Sequence, residues 1–137
     1  MSPTRYFVDT NVLLRFLSGQ PPAQAAAAKK LFNRAAQGEI TLEISPVIVA
    51  EAFYTLVSFY RIERQIAAGK LALLLQQHGV RLRDGSEVLA ALERLKTTNV
   101  GFADAFLAAG ASSENISVAS FDRDFDKMKV ARYEPVE

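Results

Sequence analysis

The chain alternates short apolar runs with longer segments in which apolar residues recur at helical spacing. The short runs predict strands over residues 6–9, 40–44, 80–82, 116–119 and 130–133. The longer segments predict helices over residues 11–17, 22–37, 45–60, 63–77, 86–96 and 101–112, and a helical turn at 122–128. The first strand is expected to be fully buried, as strands inside a parallel sheet are, and the last to lie at an edge.

Strands that alternate with helices and are joined by such crossovers predict a parallel α/β sandwich. No internal repeat, low-complexity segment or linker divides the chain. Residues 1–137 are therefore expected to form a single domain, long enough to bury one sizeable core.

Composition narrows the function classes. The net charge of +1 gives no indication of nucleic-acid binding. It does not exclude such binding either, because a metal centre can itself attract an anionic substrate. The absence of cysteine excludes disulfides and thiolate zinc sites and suits a reducing cytoplasm. A single histidine, His78, excludes a histidine-based metal cluster and a Ser-His-Asp triad. With no signal peptide and no membrane-spanning run, we expect a cytoplasmic protein.

Four acidic residues interrupt apolar surroundings. Burial of one unpaired carboxylate among such neighbours costs several kcal/mol, on the order of the net stability of a domain. Four in one chain suggest that the carboxylates meet and share a cation. These residues are Asp9, Glu51, Asp104 and Asp122.

The predicted elements allow these acids to converge. Asp9 and Asp122 follow strands, and ligands of parallel sheets bind at the carboxyl ends of strands. Glu51 and Asp104 lie in the first two turns of helices. Simpler roles remain open: Asp9 can cap a helix, Asp104 can interact with a helix dipole, and Asp124 can replace Asp122. Glu51 can lie on a solvated helix face, but its apolar neighbours argue against that position.

Clustered carboxylates repel one another and raise one another's pKa unless a divalent cation neutralises them. Oxygen ligands alone favour Mg²⁺ or Mn²⁺, which keep several waters and bind substrate phosphates. One or two such ions can activate water and stabilise the leaving oxygen of an in-line displacement. The reaction that this chemistry favours is phosphodiester hydrolysis.

The same residues resemble the sequence motifs of the PIN-domain nucleases, and most closely the small VapC-type toxins of toxin–antitoxin modules. The resemblance covers nearly the whole chain, and its motifs occur in the family's order. The segments that carry it are Val8-Asp9-Thr10-Asn11, Ser45-Pro46 through Glu51, Phe102-Ala103-Asp104-Ala105, and Ser120-Phe121-Asp122-Arg123-Asp124. Ser120 stands where the family usually has threonine, which keeps the hydroxyl.

The resemblance implies a three-layer α/β/α PIN-like fold with a short, mainly parallel central sheet. It also implies an Mg²⁺- or Mn²⁺-dependent endoribonuclease with one or two ions, inhibited by a cognate antitoxin and often homodimeric. It places the metal on Asp9 and Asp104, with Asp122 completing or supporting the site. Glu51 would bind a second metal or position the attacking water.

The resemblance also implies that Asn11 and Ser120 orient these carboxylates by hydrogen bonds.

Two surfaces lead to further hypotheses. The helix over 45–60 is apolar nearly all round, so part of it is expected either in the core or beneath a second subunit or an antitoxin segment. An RNA path is a hypothesis for six basic residues: Arg15, Lys29, Lys30, Arg34, Arg61 and Arg64.

Two other functions compete. Phosphoryl transfer through an aspartyl-phosphate also uses an aspartate after the first strand, but Asp9-Thr10-Asn11 lacks the Asp-x-Asp start or lysine that this chemistry needs. A catalytically silent PIN-like scaffold that binds RNA or protein is the non-enzymatic alternative, and the presence of all four acids argues against it. tRNA, ribosomal RNA and mRNA are all candidate substrates, and DNA stays an alternative because the contacts that recognise the 2′-hydroxyl are not readable in a sequence.

Overall fold

A computed structural model of the chain describes residues 2–136. These residues contain seven helices and five strands, with one or two helices between successive strands, which confirms the predicted mixed α/β class. The elements are β1 Thr4–Phe7, α1 Thr10–Ser18, α2 Pro22–Ala36, β2 Ile40–Ile44, α3 Pro46–Ser58, α4 Arg64–Leu75, β3 Val80–Leu82, α5 Gly85–Thr97, α6 Phe102–Glu114, β4 Val118–Ala119, α7 Asp124–Lys127 and β5 Arg132–Tyr133.

The strands pair in parallel, as predicted, but they form two sheets among the described residues. β2 lies between β1 and β3, with Thr4 opposite Ile40 and Leu42 opposite Val80. β4 pairs with β5 in a second, two-stranded sheet. The short parallel sheet that the resemblance implies is thus β1-β2-β3, and β4 and β5 are not hydrogen-bonded to it among the described residues.

The prediction that the first strand is fully buried is wrong. Every residue of β1 is exposed, and Phe7 keeps 73% of its surface accessible. The reason is topological, because β1 is the edge strand of its sheet and β4 pairs with β5 instead. Burial begins at Val8, whose backbone N–H donates a 3.0 Å hydrogen bond to the carbonyl of Glu43.

Helix α3 joins the parts of the fold that carry the candidate residues. Pro46 occupies its first turn, where proline's missing N–H costs nothing. One face of α3 is buried in the core through Val49, Phe53 and Leu56, as the apolar stripe predicts. The helix packs against α1, α4 and α6 and so brings separate motifs into one neighbourhood.

Within residues 2–136, none of the helices combines the length and apolar character that a membrane span requires.

Candidate active site

Asp9 lies between β1 and α1 and caps the helix. Its backbone is extended, with φ −80° and ψ 155°, and its Oδ1 accepts a 2.8 Å hydrogen bond from the backbone N–H of Thr10. Such a bond satisfies one of the free N–H groups at a helix start. The capping role left open by the sequence is therefore real, and it fixes the carboxylate of Asp9 at the end of the first strand.

Thr10 connects this motif to the second one. Its Oγ1 donates a 2.7 Å hydrogen bond to Oε2 of Glu51, across 41 residues of chain. Thr10 is buried, whereas Glu51 is exposed, so a rigid hydroxyl orients a solvent-facing carboxylate. Sequence reasoning missed this residue. The available signal was a hydroxyl at the first position of a helix directly after a candidate ligand.

The exposure of Glu51 corrects the expectation that its apolar neighbours would bury it. Val47 and Tyr54 lie one turn before and after it on the same face of α3 and are 67% and 71% exposed. The burial cost that first drew attention to the four acids does not apply to Glu51, Asp9 or Asp122, all of which are exposed. These carboxylates are accessible to a ligand from solvent.

Asp104 is the candidate acid whose carboxyl has a shifted pKa. It lies in the first turn of α6 and is half-buried. Burial raises the pKa of the Asp104 carboxyl, and the neighbouring charges of Asp122 and Asp124 raise this pKa further. Carboxyls whose pKa is raised by burial and by a neighbouring carboxylate occur at functional sites, and also in structural charge networks. The structure thus brings the third and fourth motifs together.

The fourth motif is a compact hydrogen-bonded turn. Oγ of Ser120 accepts a 2.9 Å bond from the backbone N–H of Asp122, and Oδ1 of Asp122 accepts a 2.9 Å bond from the N–H of Asp124. Ser120 therefore orients the backbone of Asp122 rather than its carboxylate. Asp122 affects the Asp104 carboxyl more than Asp124 does, and Asp124 also pairs with Lys127 at 3.4 Å.

The candidate acids form two local groups. One joins Asp9 and Glu51 through Thr10, and the other couples Asp104 to Asp122 and Asp124. Among residues 2–136, no three Asp, Glu or His side chains come close enough to hold one metal ion between them. The ligand set Asp9, Asp104 and Asp122 therefore stays a prediction.

The donor chemistry nevertheless suits Mg²⁺ or Mn²⁺, because every candidate ligand is an oxygen. The coupling of Asp104 to two further carboxylates provides repulsion that a divalent cation would relieve.

One of the six basic residues predicted to line an RNA path, Arg64, does not face solvent. Arg64 is half-buried, and its guanidinium donates to the backbone carbonyls of Thr98 and Val100 instead of facing solvent. Arg15 is bonded to Gln24 at 2.8 Å and lines a groove of about 330 Å³ between α1 and α2. Asn11 lines the same groove. The remaining basic residues of the predicted path are exposed: Lys29, Lys30, Arg34 and Arg61.

Comparison with known proteins identifies the family of the chain. A family model described as PIN domain matches residues 6–131 of the chain. No curated protein matches it. The crystal structure of VapBC2 from Rickettsia felis bound to a DNA fragment from its promoter is similar at 17% identity, over 95% of this chain and 98% of that one. Its TM-score of 0.39 is too low to bear on the function of this chain.

Proposed function

The chain belongs to the PIN-domain family, and from this premise we propose that it is a metal-dependent endoribonuclease, the toxin of a toxin–antitoxin pair. PIN domains are generally nucleases. The observation that carries the proposal is the half-buried Asp104 carboxyl, whose pKa is raised by burial and by Asp122 and Asp124. Burial is the larger cause of the raised pKa, and the repulsion from Asp122 and Asp124 is the part that a bound divalent cation would relieve.

We assign the metal to Asp9, Asp104 and Asp122, with Asp124 as the alternative to Asp122. When bound, one or two Mg²⁺ or Mn²⁺ ions would neutralise these carboxylates and provide Lewis-acid activation at the scissile phosphate.

Glu51 is assigned to the attacking water. Its Oε2 is held by the hydroxyl of Thr10, which leaves Oε1 free to accept a hydrogen bond from water. A carboxylate held in this way can orient the water for in-line attack on the phosphorus, with the 3′ or 5′ oxygen leaving. Asp9 is in turn held by the backbone of Thr10, so both acids depend on one residue.

The exposed apolar surface beside Glu51 supports a protein partner. Val47 and Tyr54 flank Glu51, and Phe59 at the end of α3 is 75% exposed. Apolar side chains at this density beside a candidate site are typical of an interaction surface. We assign this surface to a cognate antitoxin or a second copy of the chain, in a cytoplasmic complex.

A catalytically silent PIN-like scaffold is the second candidate function. The observation that favours it is that residues 2–136 hold no three acidic or histidine side chains within reach of one metal ion. A scaffold would bind RNA or protein through the same surfaces without needing Mg²⁺ or Mn²⁺.

Incubation of the partner-free protein with total tRNA and ribosomal RNA distinguishes the two candidates. Mg²⁺, Mn²⁺ and EDTA are compared, with Asp9→Asn as the inactive variant and Asp126→Asn as a matched control whose carboxylate pairs with Arg132. The nuclease is supported by discrete cleavage that requires metal, disappears in Asp9→Asn and persists in Asp126→Asn. Intact RNA together with no metal binding would leave the scaffold.

A further inference from the structure

Arg64, the first residue of α4, makes an unusual set of contacts. Its Nη2 donates to two backbone carbonyls, that of Thr98 at 3.1 Å and that of Val100 at 2.5 Å. Its guanidinium carbon lies 5.3 Å from the centre of the Phe53 ring. Burial lowers the pKa of this guanidinium, and its Nε has no hydrogen-bond partner within residues 2–136.

The two carbonyls belong to the segment that leads into the helix of Asp104. Thr98 is the C-cap residue that follows α5, and Gly101 is the N-cap residue that precedes α6. The carbonyl of Gly101 accepts a 3.1 Å hydrogen bond from the N–H of Ala105. Val100, between Thr98 and Gly101, is buried. Asp104 follows three residues after Gly101, so the position of segment 98–101 determines the position of the Asp104 carboxylate.

The remaining contact of Arg64 reaches the other helix that carries a candidate acid. Phe53 lies two residues after Glu51 on α3, and its ring faces the guanidinium. Arg64 thus contacts α3 directly and the start of α6 through segment 98–101. One side chain connects the two helices that bear Glu51 and Asp104.

A structural role alone explains this arrangement poorly. A cation near the carbonyls that end α5 is favourable, but a half-buried guanidinium with an unpaired Nε carries a desolvation cost that a well-packed apolar side chain avoids. Arginine provides what an apolar side chain does not, namely several donors in a fixed plane that hold two carbonyls in one geometry.

We propose that Arg64 is a positioning residue for the candidate active site: it fixes segment 98–101 and thereby the Asp104 carboxylate relative to Glu51. The inference rests on the proposed function for its catalytic consequence. It replaces the role in RNA binding that the sequence suggested for this residue.

Amide hydrogen exchange tests whether Arg64 fixes segment 98–101, and it needs no assay of activity. The variants are Arg64→Met, which keeps an unbranched apolar chain, Arg64→Lys, which keeps charge and donors, and Leu75→Ala, which removes a buried side chain at the far end of α4. Exchange over residues 100–105 should rise about tenfold or more in Arg64→Met relative to strand β2, and less in Arg64→Lys. Leu75→Ala should leave that ratio unchanged.

Mn²⁺ affinity and RNA cleavage by the folded fraction test the functional part. Arg64→Met should weaken Mn²⁺ binding about tenfold, as loss of a supporting contact around metal ligands does, and lower kcat with little change in KM for RNA. Arg64→Lys should recover part of both losses, and Leu75→Ala should show neither. Increased exchange with wild-type Mn²⁺ affinity and kcat would make Arg64 merely structural and overturn the proposal.

Unchanged exchange over residues 100–105 in Arg64→Met would also overturn the proposal. Failure of the proposed function gives a different pattern, because the wild-type protein would then neither bind Mn²⁺ nor cleave RNA. In that case Arg64 is not a positioning residue for a metal site, whatever the exchange measurement shows.

Discussion

The hydroxyl of Thr10 donates a 2.7 Å hydrogen bond to Oε2 of Glu51 and so joins the start of α1 to the second turn of α3. The backbone N–H of the same residue donates to Oδ1 of Asp9 at 2.8 Å. Thr10 therefore holds two candidate catalytic carboxylates, one through its side chain and one through its backbone. Its burial keeps both contacts rigid.

Replacement of Thr10 by valine tests this relationship, because valine keeps the shape and removes the donor. The kcat for RNA cleavage should fall about tenfold, the scale on which supporting contacts affect metal sites. The free energy of unfolding should change by only about 1 kcal/mol, since exposed Glu51 regains water. Thr10→Ser is the control and should retain activity. A Thr10→Val protein as active as the wild type would remove Thr10 from the site.

The raised pKa of Asp104 predicts a pH dependence in the metal-free protein. Its native carboxyl holds a proton more tightly than the unfolded chain does. The resulting contribution to stability is fully present below the usual carboxyl pKa and is lost as pH rises through the raised value. Asp104→Asn should therefore be more stable than the wild type at neutral pH in EDTA, with a difference that vanishes in acid. Denaturant unfolding from pH 3.5 to 8 measures this, and a less stable Asp104→Asn at neutral pH would contradict it.

Metal binding should make the wild type more stable than Asp104→Asn, the reverse of the order expected in EDTA. Saturating Mn²⁺ binds the folded wild type and raises its Tm through mass action, whereas Asp104→Asn lacks a ligand and should gain little. Thermal unfolding with and without Mn²⁺ provides the comparison, and Asp126→Asn should respond as the wild type does. Equal shifts in wild type and Asp104→Asn would place the ion elsewhere.

Glu43 should show the opposite pH dependence. It is buried on β2 with Arg5 and Arg83 beside it, and the hydrogen bond from Arg5 is the main cause that lowers the pKa of its carboxyl. Its contribution to stability is present above the usual carboxyl pKa and is lost as pH falls through the lowered value. Arg5→Met should therefore reduce the loss of stability between neutral and acid pH. If Arg5→Met lost as much stability between neutral and acid pH as the wild type does, the Arg5–Glu43 pair would contribute nothing to that loss.

Two glycines provide a matched test of the backbone. Gly79 has φ +86°, and an added Cβ would lie 2.2 Å from the carbonyl oxygen of Ala35, whereas a Cβ on Gly69 within α4 meets nothing within 4 Å. Gly79→Ala should destabilise the protein by more than the roughly 1–3 kcal/mol of backbone strain alone. Gly69→Ala should stabilise it by about 0.5–1 kcal/mol. Chemical denaturation measures both, and similar values for the two variants would contradict the structure at Gly79.

The sequence predicts the elements well because their signals are local. Pro46 begins α3 as expected, and the buried stripe on that helix follows its apolar spacing. The capping role of Asp9 was foreseen as one of two possibilities, and the structure confirms it. Such features depend on residues within a turn or two of each other.

Features that depend on strand order and long-range contact are not readable in this way. Apolar Tyr6 and Phe7 predict a buried strand, but the edge position of β1 leaves them exposed. The charge of Arg64 predicts a solvent-facing side chain, but carbonyls more than thirty residues away bind it. The bond from Thr10 to Glu51 likewise requires α1 and α3 to pack together before it exists.

Anomalous diffraction from crystals soaked in Mn²⁺ at neutral pH tests the central claim most directly. The account predicts an anomalous peak about 2.1 Å from carboxylate oxygens of both Asp9 and Asp104, a normal distance for a small divalent cation. Of the acids in the fourth motif, Asp122 or Asp124 should lie nearest to this peak. The peak should disappear in Asp104→Asn crystals. Well-diffracting crystals with no peak between Asp9 and Asp104, or with Mn²⁺ bound only elsewhere, would contradict the proposal that these acids share a catalytic metal.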